Sequence, residues 1–249
     1  MACLSCRSQQ RSADIERGTD MIELKGVSKE YQSGRAGGRA VALNGLSFFI
    51  DDGASLAVYG KSGSGKTTLL NCIGGLERPS SGSIDCFGYS IGALGSRELS
   101  RFQRANTGFV FQQGNLLSYL TVEENIGLPL MLNGAGAHER NKRVSELLER
   151  IGLAGAGKAR PAELSGGELQ RAAVGRAVAH RPRLLLADEP TSHLDTSTGK
   201  ALIRLIYELG RDEGTTIIFS THDVEIIGLA SMRLHLRDGA LVDDAAGAL

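Results

Sequence analysis

Three groups of residues could do chemistry. The first is Gly60-Lys61-Ser62-Gly63-Ser64-Gly65-Lys66-Thr67-Thr68. Its glycines let backbone N–H groups turn inward around a polyphosphate without Cβ clashes. Lys66 can reach the outer phosphates and the Thr67 hydroxyl can ligate Mg²⁺. The second group is Asp188-Glu189. One carboxylate can hold Mg²⁺, directly or through water, while its neighbour orients or deprotonates an attacking water. The third is Leu164-Ser165-Gly166-Gly167-Glu168, where a serine and two glycines open a helix and offer a second anion-binding start. Two such starts exceed what one nucleotide needs from one chain. The economical reading gives the second to a nucleotide held by another copy.

The surrounding pattern predicts elements that could position these groups. The apolar run Ser55–Tyr59 reads as a strand leading into the glycine loop, and Leu69–Ile73 as the helix leaving it. With 33 glycines in 249 residues, the loop pattern alone carries less weight than this context. Leu184-Leu185-Leu186-Ala187 is continuously apolar, which suits a parallel strand buried on both faces, with Asp188-Glu189 at its C-terminal end. Met21–Val27 and Val41–Ile50 read as strands of a β-rich opening, separated by a glycine- and arginine-rich loop from Gln32 to Arg39. Tyr31 is expected to follow the first strand. Thr107–Phe111 predicts a strand ending at Gln112, and helices are expected over Val122–Leu132, His138–Ile151 and Glu168–His180. Helix 198–210, strand Thr216–Ser220 ending at His222, and a hairpin around Asp238-Gly239 complete the chain.

Composition sets bounds. The formal net charge is zero, aromatics are few and tryptophan is absent, so nothing points to a nucleic-acid binder with a basic face. No run of 18 or more apolar residues suits a membrane span. Residues 1–20 are polar, lack a signal-peptide core, and are expected to be a flexible tail, with Met21 at the true start of the folded domain. A cytoplasmic location is expected. Cys3 and Cys6 form a C-x-x-C pair without a second half-site, and Cys72 reads as a small core residue.

The glycine loop, Gln112, Leu164-Ser165-Gly166-Gly167-Glu168, Asp188-Glu189, Ser192-His193-Leu194-Asp195 and His222 stand in the order of an ABC transporter ATPase subunit, and residues 21–243 resemble that family. A P-loop kinase or small GTPase lacks the Ser-Gly-Gly helix start. The stretches Leu69–Leu76, Gly108–Gln113, Glu124–Leu130 and Leu186–Thr191 resemble the branch serving macrolide efflux, lipoprotein release, haem and peptide export, and cell division. The implied fold is α/β: a P-loop (RecA-like) mixed sheet core over residues 21–249, with an N-terminal antiparallel β segment and a helical subdomain inserted over about 97–180. The implied cofactors are ATP and Mg²⁺.

The resemblance also implies roles. Tyr31 would stack on adenine, Gly60 to Thr68 would hold the triphosphate, and Thr67, Gln112 and Asp188 would serve Mg²⁺. Glu189 would be the general base, assisted by Lys66, Gln112 and His222, with His222 bonding the γ-phosphate. Ser165, Gly166, Gly167 and Glu168 would meet the nucleotide of the opposite subunit, and Asp195 would lie at the dimer seam. The implied partners are a second copy, head to tail, and an integral-membrane permease in two copies, which would hold the chain at the cytoplasmic face of the membrane. Two positions depart from the family pattern: His193, where a small residue is usual, and Gly114, where this branch often has an aromatic. The chain stops soon after its last hairpin, unlike many sugar importers, which favours export over import although amino-acid importers are also short. A mechanical regulator of cell-wall enzymes is a further alternative. Soluble family members acting on ribosomes or DNA typically have two ATPase halves or a long coiled-coil insertion.

Overall fold

The structure is a computed structural model that describes residues 21–32 and 39–242. The expected tail at 1–20 with its Cys3–Cys6 pair, and the loop interior at 33–38, lie outside the described residues.

In chain order the elements are β1 (Met21–Gln32), β2 (Arg39–Asp51), β3 (Ser55–Tyr59), α1 (Lys66–Ile73), β4 (Ser81–Cys86), β5 (Tyr89–Ser90), α2 (Ser96–Asn106), β6 (Thr107–Val110) and α3 (Val122–Leu132). There follow α4 (Ala137–Arg150), α5 (Gly166–Val178), β7 (Leu184–Ala187), α6 (Thr196–Asp212), β8 (Thr216–Thr221), α7 (Val224–Ile227), β9 (Met232–Arg237) and β10 (Ala240–Leu241).

Two sheets form. The smaller is antiparallel, ordered β2-β1-β4-β5. Tyr31 lies inside β1 rather than beyond it, because Lys29, Glu30 and Tyr31 keep pairing with Leu43, Val41 and Ala40 past the register shifts around Val27. The larger sheet is ordered β10-β9-β3-β8-β7-β6, with β9, β3, β8, β7 and β6 parallel and only β10 antiparallel. The Asp238-Gly239 hairpin forms as expected, and its first strand also extends the parallel sheet beside β3.

Alternation within β7 shows how both faces of this sheet are used. Leu184 and Leu186 join a core with Leu56, Val58, Ile218 and Leu234, shared with the apolar side of α1 (Leu69, Leu70, Cys72, Ile73) and the antiparallel sheet (Ile22, Ile50, Ile84). Leu185 and Ala187 face the opposite core with Ala57, Ile217 and Phe219, covered by Ile126 of α3, Leu147 of α4, Val174 of α5 and Ile203 of α6. Helix α4 buries Val144, Leu147 and Leu148. Its buried Arg143 is anchored farther down the chain, donating to the Val178 and Ala179 carbonyls at 3.1 Å each and pairing with Glu213. Those carbonyls belong to the last turn of α5, where a cation also complements the helix dipole. β4, β5, α2 and α7 have no counterpart among the elements expected from sequence; α2 buries only Phe102, too little to print a helical stripe.

Parallel pairing sends every C-terminal strand end to one edge. Tyr59 leads there into the glycine loop, Ala187 into Asp188-Glu189, Thr221 into His222 and Val110 toward Gln112.

Candidate active site

The glycine loop is braced from behind. Gly65 has φ +102°, and a Cβ there would meet the Ala42 carbonyl at 2.3 Å, so only glycine fits. The hairpin turn supports the same loop: Gly239 N donates to Ser64 O at 3.1 Å, and Asn44 N donates to Gly239 O at 2.8 Å. Lys66 is 5% exposed and folds over the loop, donating to the carbonyls of Gly60 (2.9 Å) and Lys61 (3.1 Å). The buried Ser64 hydroxyl finds no hydrogen-bond partner among the described residues. Lys61, Ser62 and Gly63 are exposed, and Thr68 lies beside Tyr31.

The two acidic residues meet this loop from β7. Asp188 accepts hydrogen bonds at one oxygen from Thr67 Oγ1 (3.1 Å) and Ser220 Oγ (2.7 Å). Glu189 has φ +41°, a conformation costly for a residue with a side chain, stabilised where its N–H donates to Ser220 Oγ at 2.8 Å. Its carboxylate lies 3.3 Å from Lys66 Nζ and 3.9 Å from His222 Nδ1. The latter distance exceeds a hydrogen bond, and the His222 side chain is largely exposed. Ser220, fully buried, fixes both acidic residues at once. Sequence reasoning placed it only as the last residue of a strand, and no local signal marks a hydroxyl whose partners lie on another strand.

A hard cation fits this donor set. The Thr67 hydroxyl and Asp188 carboxylate are adjacent oxygen donors, 3.1 Å apart, and no group of three or more His, Cys, Asp or Glu side chains among the described residues forms a metal cage. Mg²⁺ held by few protein oxygens plus substrate phosphates has this character. The orphaned Ser64 hydroxyl and the Lys66 ammonium likewise suit a polyphosphate beside them.

Gln112 is exposed, and its side chain makes no hydrogen bond among the described residues. Its backbone is held instead. Buried Gln170 of α5 donates Nε2 to the carbonyls of Gln112 (2.9 Å), Phe111 (3.3 Å) and Pro190 (2.9 Å). Arg176 donates to Gly114 O (2.8 Å) and Asn115 O (2.6 Å). At Gly114, which departs from the family pattern, φ is +71°, a conformation that strains any residue with a side chain, and a Cβ there would require the Leu169 side chain to shift. Gln170 and Arg176 were missed because their partners are backbone atoms, which leave no trace in residue types.

The Ser165 segment sits at the start of α5. Ser165 caps the helix: its Oγ accepts from Glu168 N at 3.4 Å, while Ser165 N and Oγ donate to Glu168 Oε2 at 2.9 and 2.6 Å. Those bonds hold the Glu168 carboxyl below its usual range. Gly166 is open, and Gly167 packs near Thr198 and Leu194. The segment therefore neighbours the start of α6, where exposed Asp195 accepts from Ser197 N, Thr198 N and Ser197 Oγ, which lowers its pKa well below the carboxylate range. His193 is exposed. Tyr31 is half-exposed beside α1, with its hydroxyl donating to Glu77. Thus the strand edge gathers Lys66, Thr67, Asp188, Glu189 and Ser220 through direct bonds, while Ser165–Glu168 bond among themselves.

Comparison with known proteins adds three findings. The ABC transporter family model matches residues 43–192, more than half the chain. A methionine import ATP-binding protein of Rhizobium johnstonii is 44% identical over 226 residues, which cover 90% of this chain and 60% of that protein. The chain thus spans less than two thirds of that relative's length. A lipoprotein-releasing system ATP-binding protein of Nitratidesulfovibrio vulgaris is 40% identical over 225 residues, covering 90% of this chain and 96% of that one. Among solved structures, the dimeric post-hydrolysis state of the ATP-binding cassette MJ0796, bound to ADP and Pi, superposes with a TM-score of 0.82 at 36% identity, covering 88% of this chain and 96% of that one.

Proposed function

Because the chain belongs to the ABC transporter family, as an ATP-binding domain with its α/β fold, we propose that it hydrolyses ATP to drive a separate membrane permease. The observation that carries this reading is the convergence of Lys66 and Thr67 on Glu189 and Asp188, four residues from two distant stretches at one sheet edge. In this reading Gly60–Thr68 cradle the triphosphate, and Lys66 exchanges its loop carbonyls for phosphate oxygens. Thr67 and Asp188 would hold Mg²⁺, which would supply neutralisation of phosphate charge when bound. Glu189 takes the proton of the attacking water, with Gln112 and His222 closing on the same phosphate as the loops tighten.

Two copies close head to tail, so that Ser165, Gly166 and Gly167 of each meet the nucleotide of the other, with Asp195 at the seam. ATP prefers the closed state, and this difference in affinity is what can shift the permease. No described helix is long and apolar enough to cross a membrane. A groove of about 810 Å³ between α3 and α4, beside exposed Tyr119, Met131 and Leu132, is the surface we assign to the permease, on the cytoplasmic face of the membrane.

The transported substrate in this reading is hydrophobic and is exported or extracted: a lipoprotein, macrolide, haem or peptide. Support comes from the Glu124–Leu130 stretch and the 40% identity to a lipoprotein-releasing protein. A second reading, import of a small molecule, draws on the 44% identity to a methionine import protein.

The test is affinity purification of the tagged chain and of Glu189→Gln from detergent-solubilised membranes with ATP, followed by mass spectrometry and an ATPase assay. The expected result is a permease with a large extracytoplasmic domain and a turnover loss in the variant of about 10²–10⁴-fold. A many-span permease with a binding protein would replace export by import. Normal turnover in Glu189→Gln would overturn the assignment of the base.

A further inference from the structure

A ring that stacks on a base must hold its plane, and a half-exposed tyrosine at a strand end would otherwise rotate. Tyr31 is such a residue, 38% exposed at the end of β1. Its surroundings fix it from two directions. The phenol hydroxyl donates to the Glu77 carboxylate. The Lys29 ammonium, two residues back on the same side of the strand, lies over one ring face 5.0 Å from the centroid, within cation–π range. Lys29 is itself held, 3.4 Å from the Glu77 carboxylate and donating to Arg78 O at 2.8 Å. Glu77 accepts a further bond from Asn71 Nδ2 at 3.2 Å. The Asn71 carbonyl accepts in turn from Leu76 N (2.8 Å) and Glu77 N (3.2 Å). Asn71 belongs to α1, the helix that leaves the glycine loop.

We infer that Glu77 and Lys29 are positioning residues for the nucleobase, a bracket that holds the Tyr31 ring with one face covered by the ammonium and the other turned to the base. The inference rests on the reading of Tyr31 as the stacking residue. Its consequence is geometric: through Asn71 the ring is referenced to α1, so the base end and the phosphate end of one nucleotide are fixed by the same helix. Burial pushes the Glu77 carboxyl up, but its bonds from Tyr31, Asn71 and Lys29 outweigh this and lower it. Burial, with the bond to Glu77, raises the Tyr31 phenol, so it remains a donor. Stacking tolerates any base because each has a π face. The bracket therefore sets affinity for nucleotides whatever their base, not the choice among them.

The experiment measures Kd for ATP, GTP and tripolyphosphate, and KM and kcat for ATP, in the wild-type chain and in Tyr31→Ala, Tyr31→Phe, Glu77→Gln and the Tyr31→Phe/Glu77→Gln double variant. Tyr31→Ala is expected to weaken ATP by about 10–100-fold. Glu77→Gln and Tyr31→Phe are each expected to weaken ATP and GTP by about 3–10-fold through lost ordering of the ring, with kcat unchanged. Glu77→Gln removes the charge that holds Lys29 and leaves only one acceptor oxygen for Tyr31 and Asn71, while Tyr31→Phe removes the phenol donor. Because both act on the one Tyr31–Glu77 contact, the double variant should lose less than the two single losses combined. Tripolyphosphate, which has no base, should bind all variants equally. Unchanged ATP affinity in Tyr31→Ala would remove the stacking reading and this inference with it. A weakened Tyr31→Ala beside full affinity in Glu77→Gln would overturn the bracket alone. Loss of tripolyphosphate binding in Glu77→Gln would also overturn it, since Glu77 would then merely hold α1 in place.

Discussion

Helices α1 and α5 both begin on glycine-bearing loops, and they treat their first N–H groups in opposite ways. Helix α1 starts after Gly65 in a left-handed conformation, with no side-chain cap and no acidic residue in its first turn. Helix α5 starts after Ser165 in an extended conformation, and a capping box with Glu168 occupies the N–H groups of Ser165 and Glu168. An uncapped start leaves its donors and the positive end of its dipole for a ligand. A capped start has part of its end occupied before any ligand arrives, here the N–H groups of Ser165 and Glu168, and carries a carboxylate beside the place an anion would take. The difference fits the division of labour proposed above. Helix α1 meets the triphosphate in every copy, whereas α5 is offered only when a second copy brings a nucleotide, and Ser165 must then give up its bond to Glu168.

The largest expected effect comes from disabling each start separately. Lys66→Ala removes the cation from the open start and should weaken ATP binding by about 10–100-fold, the worth of a charge-assisted hydrogen bond. Ser165→Ala should leave ATP binding by the single chain unchanged while turnover collapses. Each variant alone is inactive on this account, yet an equal mixture should recover roughly a quarter of the wild-type sites, because half the dimers are mixed and each mixed dimer keeps one intact site. The ATPase rate of the mixture measures this. No recovery would mean that both starts serve a nucleotide in the same copy, and the comparison would break.

The open start was the more legible of the two. Its residues are consecutive, and strand, loop and helix follow one another in sequence, so Gly60–Thr68 could be read without any tertiary knowledge. Asp188-Glu189 was legible for a similar reason: a wholly apolar run before it marks a buried parallel strand, and such strands end at the functional edge. What holds these residues in place was not legible. Ser220 reaches Asp188 and Glu189 from another strand, Gln170 grips three carbonyls, and Gly239 donates to Ser64 from the far end of the chain. Each is a contact to backbone or across strands, for which sequence has no period. The closed start lies between. The Ser-Gly-Gly pattern and the glutamate three residues after the serine are visible, but the pattern alone does not say that the serine hydroxyl is bonded to that glutamate. The antiparallel segment was legible as strands, while the continuation of β1 to Tyr31 depended on pairing with β2.

A smaller effect isolates the charge at the closed start. Glu168→Gln keeps an oxygen acceptor for Ser165 but removes the negative charge that an incoming phosphate must face. ATP-dependent dimerisation, followed by light scattering in a hydrolysis-deficient background, should occur at about two- to fivefold lower ATP concentration, the usual scale of a charge at a helix terminus. Higher ATP demand would show that the carboxylate assists the trans contact. The pH dependence has a definite sign. The Glu168 carboxyl is lowered by its bonds to Ser165, so the cap's contribution to stability is present above the ordinary carboxylate pKa and is lost as pH falls through the lowered value. Thermal melts of wild type and Glu168→Gln should therefore converge in acid and separate as pH rises toward neutrality.

The smallest effect is a control on capping itself. Helix α3 carries the same device as α5: Thr121 Oγ1 accepts from Glu124 N at 3.3 Å, and Glu124 Oε2 accepts from Thr121 N at 2.8 Å. Nothing in the proposed mechanism brings an anion to that end. Thr121→Ala should cost about 1 kcal/mol of stability, as loss of an N-cap usually does, and leave ATP turnover per folded molecule unchanged. Denaturant melts give the first quantity and ATPase rates at a temperature below the transition give the second. If Thr121→Ala instead lowered turnover as far as Ser165→Ala, both serine and threonine would be acting by holding helices in place. The contrast between an open and a closed start would then be one of stability, not of which nucleotide each helix meets. A stability loss alone, with turnover intact, leaves the Ser165 hydroxyl with a role that a cap does not explain.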